Sequence, residues 1–147
     1  MRARTKARRR ALEILFEADV RGRSISEAYD DAARRADAHR ERLAEWGYVT
    51  RLVTGVVERQ AEIDELIETY AHGWTLNRMP ALDRAIIRIG VWELMHNTEV
   101  PTTAAIAEAV EAATLLSTDD SPGFVNGLLA RIAQLAPARS SGAVDSE

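Results

Sequence analysis

The sequence predicts an all-α protein of six to seven helices, on three observations. Apolar residues recur at three- and four-residue steps from residue 7 to residue 135, which is the spacing of one face of an α-helix. No stretch shows the strict alternation that is typical of a half-buried β-strand. Glycine and proline interrupt the pattern at short intervals, so several amphipathic helices must bury their apolar faces against one another in helical bundles.

The first part of the chain contains two well-marked helix boundaries. Apolar residues over 7–18 form one stripe, and Gly22 fits the end of that helix because glycine readily adopts the left-handed conformation of a C-cap. Ser24 and Glu27 have the spacing of a capping box, in which each side chain bonds the backbone N–H of the other residue. The sequence therefore predicts a second helix from about residue 26.

The helical period is strongest from residue 43 to residue 70, which predicts two helices, or one bent helix, ending near Gly73. Pro80 fits the first turn of a further helix, where its missing N–H costs nothing. At the start of the last helix, Ser121 is expected to be the N-cap and Pro122 the first helical residue.

The chain is long enough for one domain with its own core. We expect that domain to cover residues 1–136, with the break at 73–80 separating an N-terminal helical subdomain (1–73) from a C-terminal helical subdomain (80–136). Residues 137–147 are small and polar, and predict a flexible tail.

Composition excludes several classes of function. Of the 147 residues, 46% are hydrophobic and 29% are charged, as in ordinary folded proteins. The chain has no cysteine, which excludes disulfides, thiolate zinc sites and cysteine nucleophiles. No apolar run approaches the roughly 20 residues that a membrane span needs, and the arginine-rich start lacks the features of a secretory signal. We expect a cytoplasmic protein.

The net charge of −4 hides a strong asymmetry along the chain. The first ten residues carry six bases and no acid, whereas the remainder carries 13 bases against 23 acids and a net charge of −10. A basic arm on an acidic body indicates a localised contact with a polyanion such as nucleic acid. The alternative is a solvated helix end that contacts nothing.

Residues that commonly carry catalysis are few and scattered. His39, His72 and His96 share no ligand spacing with carboxylates, so no metal site is predicted. Asp119 and Asp120 are adjacent, and paired acids can perform general acid–base catalysis. We prefer the alternative that they favour the start of the next helix by capping it and through its dipole. No phosphate-binding glycine loop or nucleophile motif is present. The sequence predicts neither an enzyme nor a cofactor.

Several segments together resemble the NusB family of transcription antitermination factors. The resemblance extends from Arg2 to about Leu135, nearly the whole chain, and the combination of its motifs is specific. The motifs are the arginine-rich start followed by ALEILFEADV at 11–20, DRAIIRIGVWEL at 83–94, VP at 100–101, IAEAV at 106–110 and DSPGFVNGLL at 120–129.

The resemblance implies a fold and a function. Members of this family are all-α and consist of two packed three-helix bundles. They pair with the ribosomal protein NusE, and the pair binds the boxA RNA of ribosomal RNA transcripts. The complex then joins other Nus factors on RNA polymerase. An alternative of another class is a protein-interaction module or homodimeric adaptor that does not bind RNA by itself.

The resemblance also implies functional residues. Asp83 matches a position that faces the partner protein, although it could simply start a helix. Phe16 lies on an apolar stripe that periodicity places in the core, whereas the resemblance places it at RNA. For Phe124 the two alternatives are equally open, since it could pack in the core or stack on a base. The RNA-binding residues implied by the resemblance are Arg4, Lys6, Arg8, Arg9, Phe16, Asp120, Ser121 and Phe124.

Overall fold

The structure, a computed structural model, describes residues 2–37 and 43–139. Within these residues all regular secondary structure is helical, which confirms the predicted fold class. The seven α-helices are α1 (Ala3–Arg21), α2 (Ile25–Asp37), α3 (Leu43–Glu58), α4 (Gln60–Tyr70), α5 (Ala81–His96), α6 (Thr102–Leu116) and α7 (Ser121–Ala133), with a short 3-10 helix at Leu76–Arg78.

The boundaries of the first two helices follow local sequence signals. Gly22 ends α1 in the left-handed conformation, with φ of 66°. Glu27 N donates to Ser24 Oγ at 3.0 Å, and Ser24 N donates to Glu27 Oε1 at 3.2 Å. This reciprocal pair is the predicted capping box.

Two groups of helices pack on a common wall. Helices α1, α2 and α3 contact one another and form one three-helix bundle, and α5, α6 and α7 form the other. Helix α4 packs mainly against α5 and α7, and only slightly against α3. The predicted division places α4 in the N-terminal subdomain (1–73), although α4 packs mainly on helices of the C-terminal one (80–136). The division therefore stays a prediction.

Helix α5 is the wall between the two bundles, because it contacts α1 and α3 on one side and α6 and α7 on the other. Most of its residues are buried, among them Ile87, Val91 and Leu94, which have no exposed surface. Burial on both sides explains why the sequence of α5 is apolar over more than one helical face.

Two glycines mark close helix contacts. A Cβ at Gly55 would lie 2.2 Å from the indole nitrogen of Trp92, and a Cβ at Gly90 would lie 2.9 Å from Leu129 Cδ1. Helix α3 can therefore approach α5 closely only because residue 55 has no side chain. Nothing lies within 4 Å of a Cβ at Gly47, whose surroundings are open.

Two outcomes concern aromatic residues and the chain end. Periodicity along the helices favours the core for Trp92 as well as for Phe16. Trp92 is buried, but Phe16 is 38% exposed, so its expected place in the core was wrong. Residues 140–147 of the predicted tail lie outside the described residues. Arg139, within the described part, donates from Nη1 to the carbonyl of Leu94 at 3.0 Å. No helix in the described parts is long and apolar enough to cross a membrane.

Candidate nucleic-acid interface

The first turns of α1 carry the basic arm, which we define as Arg2, Arg4, Lys6, Arg8, Arg9 and Arg10. Lys6 is exposed and Arg9 is half-buried. Neither makes an ion pair with any residue of the described chain. Arg10 pairs with Glu13 at 3.2 Å in an exposed contact one turn along the helix, which is weak in water. Lys6 and Arg9, like the exposed Arg2, are thus arm cations that can meet a phosphate.

Arg4 belongs to the arm but leans on the body. Its guanidinium carbon lies 5.1 Å from the centre of the Tyr48 ring, within the range of a cation–π contact. Its Nη2 lies 3.6 Å from Glu99 Oε1. These contacts orient the half-buried side chain, so Arg4 would present a pre-positioned charge.

Arg8 lies inside the molecule, with 6% of its surface exposed. Its Nε lies 3.0 Å from Glu93 Oε1 and 2.9 Å from Oε2, and its Nη1 lies 3.4 Å from Glu108. The pair joins α1 to α5 and α6. A phosphate would have to compete with two carboxylates for this guanidinium. The RNA contact implied for Arg8 stays a prediction.

Tyr48 and Asn97 complete the surroundings of Glu93, which is 1% exposed. The Tyr48 hydroxyl donates to Glu93 Oε2, and Asn97 Nδ2 donates to that hydroxyl at 3.0 Å. Burial, reinforced by the negative charge of Glu93, raises the pKa of Tyr48 far above its ordinary value. The phenol therefore stays protonated and remains a donor to the carboxylate.

Asp83, at the first turn of α5, forms a second buried polar cluster. It is 3% exposed, and its two carboxylate oxygens accept from Ser117 Oγ at 2.6 Å and Ser121 Oγ at 2.8 Å. These bonds fasten the turn between α6 and α7 to the start of α5. Ser121, also 3% exposed, was expected to cap α7. That expectation was wrong, because the N-cap is Asp120. The Ser121 hydroxyl donates to Asp83 instead.

Removing one donor of this cluster has a measurable cost. We expect Ser117→Ala to lower the free energy of unfolding by about 1–2 kcal/mol, because a hydrogen bond to a buried carboxylate is lost. Urea unfolding followed by circular dichroism measures this change. Thr114→Ala, in the last turn of α6 just before Ser117, is the control, since its exposed hydroxyl bonds the carbonyl of Val110. Equal effects of the two variants would show that the Asp83 cluster adds no stability.

A cleft opens beside Asp83, with a volume of about 290 Å³. Phe124 is half-buried, Trp74 is 50% exposed, and their ring centres lie 6.0 Å apart with an angle of 57° between the planes. Phe124 thus packs against the core with part of its ring and lines the cleft with the rest. The lining consists of Trp74, Met79, Pro80, Asp83, Thr118, Asp120, Ser121 and Phe124.

Asp120 supplies an acidic group at the rim of this cleft. The residue is exposed and is the N-cap of α7, but its side chain makes no capping hydrogen bond. Asp120 thus stands at the expected helix start, but without the hydrogen bond that a capping side chain makes. Its carboxylate can accept a hydrogen bond from a donor in the cleft, while the positive end of the α7 dipole moderates its charge.

Side-chain pairs fix where the arm and the cleft lie relative to each other. Arg8 contacts Glu93 and Asp19 contacts Arg84 at 2.8 Å, so α1 and α5 run antiparallel. The arm is consequently level with the end of α5, and the cleft lies at its start. Ten residues separate Asp83 from Glu93, a rise of about 15 Å along the helix.

Histidines and carboxylates do not gather into a metal site. Among the described residues no three His, Cys, Asp or Glu side chains are placed to hold a metal ion. His96 Nε2 lies 2.6 Å from Glu62 Oε1, His72 is exposed, and His39 lies outside the described residues.

Comparison with known proteins places this architecture. A model of the NusB family matches residues 5–134. The chain belongs to the NusB family. The transcription antitermination protein NusB of Leifsonia xyli subsp. xyli is 64% identical over 137 residues, covering 93% of this chain and 95% of the relative. That of Clavibacter sepedonicus is 56% identical, covering 90% and 97%.

Solved structures agree with the sequence comparison. T. maritima NusB superposes with a TM-score of 0.80 at 31% identity, covering 91% of this chain and 93% of that one. A chain from a crystal structure of the antitermination factors NusB and NusE in complex with dsRNA has a TM-score of 0.78 at 25% identity, covering 92% and 98%. The NusB fold of this chain is therefore supported by both sequence and structure.

On this NusB fold the implied site residues fall into separate groups. Asp120, Ser121 and Phe124 surround the cleft together with Asp83. The basic residues lie about 15 Å away along α5. Phe16 forms an exposed apolar stripe on α1 with Val20, which is 60% exposed. Their roles in binding RNA or a partner stay predictions.

Two residues of the site escaped the sequence analysis. Trp74 lies in the predicted break between two helices, directly after Gly73. A large apolar residue outside any apolar helical stripe could have marked it as a candidate for an exposed binding site. Glu93 stands among apolar residues of α5, and an acid inside such a run was the signal of a buried charge pair.

Proposed function

We propose that this chain is a transcription antitermination factor that binds the boxA RNA of ribosomal RNA transcripts together with the ribosomal protein NusE. The observation that carries the proposal is that one NusB fold presents both solvent-facing arm cations and, about 15 Å away along α5, a cleft lined by aromatic rings. Basic groups hold phosphates, and exposed aromatic rings hold unpaired bases. The protein would act in the cytoplasm as a binding factor without catalysis.

The two parts of the interface differ in what they contribute. Lys6, Arg9 and the oriented Arg4 attract the RNA backbone regardless of sequence. The cleft contributes sequence preference, because Phe124 offers a stacking surface and Asp120 can accept from the amino group of a base. An acid repels phosphate, so Asp120 favours selectivity over affinity.

NusE is the proposed protein partner. The solved complex of NusB and NusE with dsRNA supports this pairing. Phe16 and Val20 form an exposed apolar stripe at the end of α1 that is level with the start of α5. Asp83, the implied partner-facing position, is buried and would act through Ser117 and Ser121, which it holds in place. Through this pair the chain would join other Nus factors on RNA polymerase.

The arm can be tested by the salt dependence of binding. We expect Lys6→Glu to weaken binding of boxA RNA and of a scrambled RNA by the same factor, and to reduce the slope of log affinity against log salt by about 0.7 for the lost phosphate contact. Fluorescence anisotropy with NusE present measures both quantities. Arg21→Glu makes the same charge change at the far end of α1 and is the control. An unchanged slope for Lys6→Glu would remove the arm from the interface.

A second candidate function rests on exposed leucines. Leu115 and Leu116, at the end of α6, are 60% and 47% exposed, and Leu115 borders an apolar groove with Ile106 and Val110. Exposed apolar patches of this kind occur at protein interfaces. They favour the alternative of a homodimeric adaptor without RNA binding of its own. Concentration-dependent dimers together with no preference for boxA over scrambled RNA, even with NusE, would select this alternative.

A further inference from the structure

Trp74 is a large apolar side chain in an exposed position, between α4 and the 3-10 helix. Half of its surface is open to solvent, although tryptophan side chains are usually mostly buried in folded proteins. Its ring centre lies 6.0 Å from that of Phe124, and the residue lines the cleft.

The turn that carries Trp74 is fastened to three helices. Arg131 of α7 donates from Nε to the carbonyl of Tyr70 at 3.0 Å. Glu68 of α4 accepts from the backbone N–H of Leu76 at 2.8 Å. Arg84 of α5 donates from Nη1 to the carbonyls of Leu76 and Met79 at 2.8 and 2.6 Å.

Backbone conformation fixes the turn further. His72 and Gly73 have φ of 50° and 94°, so the chain reverses sharply just before Trp74. Trp74 N then donates to the carbonyl of Ala71 at 3.4 Å. The exposed indole is therefore held at one place, and a ligand that stacks on it need not order a loose loop.

The chemistry of the cleft indicates its ligand. The two ring centres lie 6.0 Å apart, which is too close for a flat group to enter between the rings, so such a group would lie against the exposed part of the indole. The same cleft offers the carboxylate of Asp120 and the hydroxyl of Thr118 as polar partners. A flat, heteroaromatic group with polar edges fits this lining, and an unpaired nucleobase has that character.

We propose that Trp74 is a position-selecting residue of the RNA interface, on whose exposed face one unpaired base of the bound RNA stacks. This inference rests on the proposed RNA-binding function and adds a residue to it. Phe124 supports the indole from the side, and Asp120 at the rim faces the polar edge of the base. Because the cleft lies about 15 Å from the arm along α5, the selected base is several nucleotides from the phosphates that the arm holds.

An abasic scan tests the proposal. Each base of a labelled boxA RNA is removed in turn, and affinity is measured by anisotropy with NusE for the unaltered chain, Trp74→Ala and Trp74→Phe. We expect Trp74→Ala to bind intact RNA about tenfold more weakly, from the loss of one base–aromatic stack. At one position of the RNA, removing the base should lower the affinity of the unaltered chain about tenfold. Removing that same base should leave the affinity of Trp74→Ala unchanged, because the stack is already absent.

Two further variants separate stacking from folding. Trp74→Phe keeps an aromatic face and is expected to stay within about threefold of the unaltered chain. Leu135→Ala removes a comparably exposed apolar side chain just beyond the C-terminal end of α7, far from the cleft at its start, and should leave affinity unchanged. Circular dichroism of every variant checks that the helices are intact.

The outcomes separate the two proposals. In one outcome the unaltered chain binds boxA selectively, but removing any base weakens binding by Trp74→Ala as much as it weakens binding by the unaltered chain. That outcome would overturn the role of Trp74 and leave the proposed function standing. Equal losses in Trp74→Ala and Trp74→Phe would also overturn it, because stacking would not be the cause. Absence of any RNA binding by the unaltered chain with NusE would overturn both.

Discussion

Replacing Glu93 with alanine is expected to lower the free energy of unfolding by about 3–5 kcal/mol, the cost of leaving a buried charge without its partner. Arg8, buried where α1 packs on α5 and α6, would lose both oxygens of its bidentate contact, while its contact with Glu108 Oε1 is longer, at 3.4 Å. Tyr48 would lose its acceptor in the same place. Urea denaturation of the purified chain measures the loss.

The controls for this prediction isolate burial as the cause. Glu99 also pairs with two arginines, Arg4 at 3.6 Å and Arg51 at 3.5 Å, but its side chain is 62% exposed. Glu99→Ala should therefore cost less than about 1 kcal/mol. Replacing Arg8 and Glu93 together by methionine should recover much of the loss, because the fully buried pair is then removed as a whole. Glu108 loses Arg8 in this variant, but its side chain is 23% exposed to water and still accepts from Thr5. Equal effects of Glu93→Ala and Glu99→Ala would contradict the buried-pair account.

The second large effect is expected at a glycine. Gly55→Ala should lower the free energy of unfolding by about 3 kcal/mol, the upper end of the usual cost of overpacking. The new Cβ would meet three atoms of the rigid Trp92 indole at 2.2–2.9 Å, so α3 and α5 must separate. Thermal or urea unfolding measures the change.

Gly47→Ala in the same helix is the matched variant. Its Cβ would meet nothing within 4 Å, so the higher helix propensity of alanine should raise stability by up to about 1 kcal/mol. The two substitutions are chemically identical and are expected to have opposite signs. A stabilising Gly55→Ala would show that Trp92 moves aside, and that close approach of α3 to α5 is not required.

The sequence predicted most of the fold because its signals are local. Gly22 and the Ser24–Glu27 capping box set helix ends through the backbone of their own neighbourhood. The apolar period of residues 43–70 left open whether there is one bent helix or two. The structure has two, which meet at Arg59.

The placement of polar side chains was harder to predict because it depends on distant partners. The local sequence favours Ser121 as an N-cap, but its hydroxyl donates to Asp83, which lies 38 residues away in the sequence. Arg8 belongs to a basic run that looks solvated, yet Glu93 and Glu108 draw it into the interior. Periodicity also could not show that Phe16 lies on the open side of α1. These outcomes depend on tertiary packing, which local patterns do not encode.

The central claim is that this NusB-family chain recognises boxA RNA together with NusE, and one titration tests it most directly. Labelled boxA RNA and a scrambled RNA of equal length are titrated with the chain, with and without NusE, across a salt series. We expect the chain to bind boxA RNA more tightly than the scrambled RNA, and NusE to increase this affinity. The affinity should fall as salt rises, because the cations of the basic arm contact phosphates. Equal and weak binding of both RNAs under every condition would contradict the claim and select the protein-only adaptor.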